Sequence, residues 1–150
     1  MIRPLREDDL DAVRALWKAA HPAWPVPVPE WFIAHPTLVM EGRARLLDGY
    51  TSFSVAPGVL ESLEGMVMYG ADVAVHPLSQ GQGIGRALHR ARLDLARKAG
   101  AVAFVGMTQP DNRPMVLVFE RAGATRGLRI PNYYPDGQDG VIYSGPTEVV

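Results

Sequence analysis

Between Val73 and Gly100 an apolar strand ends, a cluster of glycines follows and a long amphipathic helix begins, an order that restricts this chain more than any other stretch. Gln80-Gly81-Gln82-Gly83-Ile84-Gly85-Arg86 stands at the junction. Glycines at 81, 83 and 85 remove the β-carbons that would keep a ligand off the backbone. The first turn of a helix leaves its amide N–H groups unpaired and pointing outward, so an anion there meets donors and a positive dipole end together. Each charge-assisted bond is worth about 1.5–3 kcal/mol, and several can hold a phosphorylated cofactor. The order predicts a pyrophosphate site, although a Gly-x-Gly turn alone is better explained as a tight connection without a ligand.

The flanking residues complete a parallel crossover. Gln82 to Ala99 is expected to be helical, with Ile84, Leu88, Ala91, Leu95 and Ala99 on one face and Gly100 as its left-handed cap. Ala101 to Thr108 is a near-continuous apolar run, as in a strand buried on both faces. Upstream, Ile2 to Arg6 reads as a strand, and Asp8 as the cap of a helix burying Leu10, Val13, Leu16, Trp17 and Ala20 and stopping before Pro22. Glu30 to His35 reads as a further helical turn. Leu38 to Glu41, Leu46 to Val55 and Met66 to Val75 read as strands of a meander, with turns at Glu41-Gly42 and Ala56-Pro57-Gly58. A helix from Arg113 to Ala122, closed by Gly123, precedes strands around Thr125 to Ile130 and Val141 to Ser144. Trp17, Trp24, Trp31 and Phe32 concentrate aromatic area, and Trp24, Trp31 and Phe32 read as core or as the frame of an acceptor with apolar or aromatic character.

Composition narrows the function classes. At 150 residues, one domain spanning 1–150 is expected, large enough to bury a core without staples. A net charge of -1 gives no electrostatic footprint for nucleic acid or an anionic membrane. With no spanning apolar run and no signal-like start, a cytoplasmic protein is expected. The absence of cysteine rules out disulfides, thiolate metal sites and a cysteine nucleophile, and the histidines at 21, 35, 76 and 89 have no metal-ligand spacing.

Two common phosphate loops fail. Counting from Gly81, Arg86 stands where a dinucleotide fingerprint needs its third glycine, and no lysine follows the glycines as a Walker A loop requires. The pattern that fits is Val-x-Val-x-Pro-x-x-Gln-x-x-Gly-x-Gly-Arg, here Val73, Val75, Pro77, Gln80, Gly83, Gly85 and Arg86. It resembles the acyl-CoA motif of the GNAT superfamily of N-acyltransferases. Asn112, Met115, Val118, Phe119, Glu120, Arg121, Gly123 and Ala124 are similar to a later helix of that family. Tyr133-Tyr134-Pro135-Asp136-Gly137-Gln138-Asp139 resembles the hairpin of members that acetylate protein N-termini, and Ile2 to Leu10 the family's first strand and helix start.

The resemblance implies an α/β (α+β) fold: a mixed, mostly antiparallel sheet of about seven strands with about four helices and one parallel βαβ crossover splayed at the cofactor site. It implies acetyl-CoA as cosubstrate and a small-molecule or peptide amine as acceptor, with no nucleic acid, membrane or metal, in a monomer or homodimer. Val73, Ala74 and Val75 would pair with pantetheine through their backbone. Gln80, Gly81, Gln82, Gly83, Ile84, Gly85 and Arg86 would hold the pyrophosphate, and Asn112 would reach the cofactor. Val73 and Val75 also read as core, and Asn112 as a helix N-cap.

Catalytic positions depart from the family's pattern. Where the N-terminal acetylators carry a glutamate and a tyrosine, this chain has Met107 and Phe119. Tyr133 or Tyr134 as acid, and Asp72 or His76 as base, are the replacement candidates. Each also has a structural reading: hairpin aromatics for the tyrosines, a capping carboxylate for Asp72, a loop residue for His76. The deprotonation of a lysine-like amine at pH 7 costs about 4.6 kcal/mol, that of an α-amine about 1 kcal/mol, so a base matters more for the first. Two other readings stay open: a catalytically silent acyl-CoA-binding sensor or interaction module, and a nucleotide-dependent enzyme.

Overall fold

The computed structural model describes residues 1–42, 46–57 and 65–148. In chain order the elements are β1 (Ile2–Pro4), α1 (Leu10–Ala20), α2 (Pro29–Ala34), β2 (Thr37–Glu41), β3 (Leu47–Pro57), β4 (Met66–Val75), α3 (Ile84–Lys98), β5 (Ala101–Thr108), α4 (Arg113–Arg121), β6 (Thr125–Ile130) and β7 (Gly140–Pro146). Short 3-10 turns occupy Glu7–Asp9 and Pro77–Ser79. The strands form one seven-stranded sheet in the order β1-β2-β3-β4-β5-β7-β6. β4 and β5 are parallel, registered from Met66↔Ala101 to Tyr69↔Val105, and the other registered pairs are antiparallel. Seven strands and four α-helices among the described residues are the architecture the sequence implied. Gly58, in the second expected turn, lies outside them. No helix among them is long and apolar enough to cross a membrane.

Contacts divide the chain into two compact units, Met1–Phe53 with Ala71–Arg92, and Ser54–Gly70 with Leu93–Val150. In the first, α1 lays Val13, Leu16 and Trp17 on a core with Phe32, Val39, Leu47, Tyr50 and Ala74. Asp9, not Asp8, organises the start of α1. Its carboxylate accepts the Arg6 backbone N–H at 2.7 Å and the forked guanidinium of Arg3 at 2.6 and 2.9 Å. The 3-10 turn shifts the helix by one residue and leaves Asp8 in solvent. The Arg3 hydrogen bonds hold the Asp9 carboxyl below its usual range.

The buried face of α3 is rotated from the one expected. Leu88, His89, Arg92, Leu93 and Ala96 are buried, whereas Leu95 is 42% exposed and Ala99 is exposed. The helix accepts this because His89 and Arg92 satisfy each other: Arg92 Nε donates to His89 Nδ1 at 2.9 Å, and Arg92 Nη1 reaches the Ser52 and Asp72 carbonyls at 3.5 and 3.4 Å. Burial pushes the His89 ring down to about 2 and the Arg92 guanidinium down to about 10.

In the second unit Phe119 stacks between Phe104 and Tyr143, at ring-centroid distances of 6.1 and 5.3 Å. β5 is not buried on both faces along its whole length, because Val102 near its start is 57% exposed.

Candidate functional site

The glycine loop has the geometry its composition predicts. Gly81 and Gly83 adopt φ of +81° and +79°, left-handed values that a β-carbon disfavours, and no atom lies within 4 Å of where that carbon would stand. Gly85 is different. It lies in the first turn of α3, where a β-carbon would make an ordinary 3.7 Å contact with Val75 Cγ2. The bond from the Ala87 N–H to the Gly83 carbonyl, 3.0 Å, opens the helical ladder, so the N–H groups of Ile84, Gly85 and Arg86 precede it. Gln80 folds back, its Nε2 donating to the Val75 carbonyl at 3.3 Å, and Gln82 is exposed.

At the C-terminal end of β4 Ala74 is buried, whereas Val73 and Val75 are half-buried, which corrects their reading as core residues. Alternation along the strand turns Asp72 and Ala74 toward one face and the two valines toward the other. Asp72 is part of a polar cluster in the first unit. Its carboxylate accepts the Tyr50 hydroxyl and, at 2.9 Å, the Val73 backbone N–H, while His21 Nε2 stands 3.4 Å away. Its carbonyl accepts Thr51 Oγ1 at 2.9 Å as well as Arg92. Burial, then the neighbouring Asp72 charge, raises the Tyr50 phenol well above its ordinary value, which keeps it a donor. His76 acts as a loop residue: Nδ1 accepts the Leu78 N–H at 3.2 Å and caps the Pro77–Ser79 turn.

In the second unit Asn112 is the N-cap of α4, accepting the Met115 N–H on Oδ1 at 3.4 Å, which leaves its amide nitrogen outside that bond. Tyr133 and Tyr134 meet edge to face at 5.1 Å, and Tyr133 is 53% exposed. Their hairpin is closed by Asp139, which accepts Arg129 Nε at 2.6 Å and the N–H of Asn132, a residue at φ +52°. Met107 fills the space over Gly140, where a β-carbon would lie 2.5 Å from its sulfur and 3.3 Å from Tyr133 Cβ.

Asp72, Val73–Val75 and the glycine loop thus belong to the first unit, and Asn112, Tyr133 and Tyr134 to the second. The residue that sequence reasoning missed is His21. Its ring stacks on Trp24 at 4.3 Å and meets Trp17 edge-on at 4.9 Å. The four-residue spacing from Trp17 on α1 to His21 at its C-cap was readable, but the partner on β4 was not.

Comparison with known proteins places the chain in a family. The chain is 36% identical over 75 residues to N-alpha-acetyltransferase 30 of Schizosaccharomyces pombe, an alignment covering 50% of this chain and spanning half the length of that curated relative. In fold it is similar to the ribosomal-protein-S18-alanine N-acetyltransferase of Escherichia coli, with a TM-score of 0.78, 23% identity, and coverage of 100% of this chain and 95% of the other. It is also similar to Arabidopsis thaliana NAA60 in complex with acetyl-CoA, with a TM-score of 0.81, 14% identity and coverage of 97% of both chains. The family model of the acetyltransferase (GNAT) family matches residues 11–124, the span holding the β4 strand, the glycine loop and α4, and the chain belongs to that family of acyl-transferring enzymes.

Proposed function

We propose that this chain is an N-acetyltransferase that moves the acetyl group of acetyl-CoA directly to a primary amine of a small molecule or peptide. The observation that carries the reading is the open glycine loop: Gly81 and Gly83 in left-handed conformations with empty space before them, at the start of a fifteen-residue helix. A pyrophosphate fits such a cradle. The N–H groups of Ile84, Gly85 and Arg86, which precede the first helical hydrogen bond, would bind it, Gln80 and Gln82 would flank it, and the backbone of Val73, Ala74 and Val75 would align the pantetheine arm. Asn112 is assigned the cofactor through its amide nitrogen. When bound, the thioester supplies an activated acyl group. The chain's part is to hold the amine against it, which is worth several kcal/mol through positioning alone.

Among the residues singled out from the sequence, Asp72 on β4, directly or through a side chain it orients, and Tyr133 or Tyr134 on the hairpin are the candidates for proton handling. A peptide acceptor accords with the names of the curated relative and the Escherichia coli neighbour, both N-acetyltransferases of protein or α-amino groups. One domain over 1–150 accords with β3, β4 and α3 running through both units. A cytoplasmic location belongs to the same reading.

Met107 and Phe119 favour a second reading, a silent acyl-CoA binder, because neither side chain can exchange a proton. Thiol release from acetyl-CoA across a panel of peptide and small-molecule amines separates the two. Release with any amine establishes the transferase. A CoA-induced rise in melting temperature without release establishes the binder, and no rise sinks both.

A further inference from the structure

We propose that His21 is the proton acceptor for the incoming amine, oriented by Asp72 and Tyr50, and that the acceptor carries an apolar or aromatic group next to its amine. The inference rests on the N-acetyltransferase reading and adds a base and a substrate class to it.

All of these groups lie in the first unit. His21 Nε2 is fully covered and faces Asp72 Oδ2 at 3.4 Å, while 18% of the side chain remains exposed. Asp72 itself is held on two sides, by the Tyr50 hydroxyl on Oδ2 and the Val73 N–H on Oδ1. A carboxylate fixed in this way is well placed to orient an imidazole. With the proton on Nε2 directed at Asp72, the Nδ1 lone pair is the ring's basic site, and the long Nε2 contact closes as the ring becomes charged. Among the described residues, the charged group in contact with the ring is Asp72, with Tyr50 on its carboxylate and Arg92 on its carbonyl.

The surroundings of the ring are apolar. Trp24 covers one face in a stack inclined by 12°, Trp17 meets it edge-on, and Trp31 lies 5.9 Å beyond Trp17. Trp17 Nε1 is buried without a hydrogen-bond partner among the described residues, an unsatisfied donor of the kind that collects at functional sites. Asp72 also directly precedes Val73–Val75, the backbone assigned to the pantetheine arm. In the reaction the ammonium gives one proton to His21 Nδ1, and the freed lone pair forms the C–N bond as the C–S bond breaks. The second amine proton ends on the departing sulfur.

The test uses the full chain, acetyl-CoA and phenethylamine, with thiol release followed from pH 6 to 10, CoA-induced melting shifts in parallel, and the His21 tautomer read by 15N NMR. His21→Gln should lower kcat by about 100-fold with an unchanged CoA shift. The neutral ring in the wild type should carry its proton on Nε2, and Asp72→Asn should move population to the Nδ1–H form. A His21→Gln kcat within twofold of wild type overturns the proposal, and so does an Nδ1–H tautomer in the wild type. No turnover of phenethylamine while CoA still raises the melting temperature overturns the proposal and leaves the acyl-CoA reading standing. Loss of the CoA shift in the wild type itself is the result that removes the reading beneath it.

Discussion

A β-carbon on Gly106 of β5 would lie 2.6 Å from Phe119 Cζ on α4, so the phenyl ring rests directly on the glycine backbone. Phe119 takes the place of a family tyrosine, and its ring is buried between Phe104 and Tyr143. The sequence alone suggests Phe119→Tyr as a way to restore a proton donor. The packing predicts otherwise. A hydroxyl on Cζ has to fit against Gly106, so Phe119→Tyr should lower stability by about 1–3 kcal/mol without raising kcat. Gly106→Ala should destabilise by a similar amount, about 1–3 kcal/mol. Thermal melts and thiol release of the two variants check this, and a faster enzyme at unchanged melting temperature would refute it.

The glycine loop makes a sharper distinction. Gly83→Asp places a negative side chain where φ is +79° and should both weaken the fold by about 1 kcal/mol and abolish the CoA-induced melting shift. Gly85→Glu meets only Val75 at an ordinary distance, so it should keep the fold and still abolish the shift by adding like charge at the helix start. Calorimetric titration of CoA into each variant tests the assignment, and unchanged binding in both would contradict it.

His89 links stability to pH. Its pKa is depressed to about 2 in the folded protein, chiefly by burial, against 6.5 for the free side chain. Between those values the unfolded chain binds a proton that the folded chain does not, so stability is present above pH 6.5 and is lost as pH falls. The full slope for one proton is about 1.4 kcal/mol per pH unit. His89→Gln, whose amide oxygen can still accept from Arg92, should flatten the decline between about pH 6.5 and 4.5, above the main carboxylate range. Urea melts across that window provide the measurement.

If a hairpin phenol returns the proton to the departing sulfur, Tyr133→Phe or Tyr134→Phe should lower kcat by about 10-fold or more with little change in CoA affinity. Equal kcat in wild type and both variants would show that neither hydroxyl is used.

How much of this was legible in the sequence depends on how far apart the interacting residues stand along the chain. The β4–loop–α3–β5 crossover, the left-handed glycines and the caps at Gly100 and Gly123 follow from local rules, in which a residue and its cause lie within one turn or one strand. The start of α1 was misread by one residue because the Arg3 guanidinium and the Arg6 backbone N–H engage the carboxylate of Asp9 rather than that of Asp8. The face of α3 was misread because periodicity counts apolar residues. His89 and Arg92 become buried only when each finds the other and the guanidinium finds the carbonyls of Ser52 and Asp72. The same holds at the candidate site. The sequence by itself determined the family, the sheet and the glycine loop, since these are written in contiguous motifs. Only the tertiary structure decided that Asp72 meets Tyr50 and His21, and that Phe119 lies on Gly106, because long-range contacts between strands and helices are set by packing and leave no periodic trace in the chain.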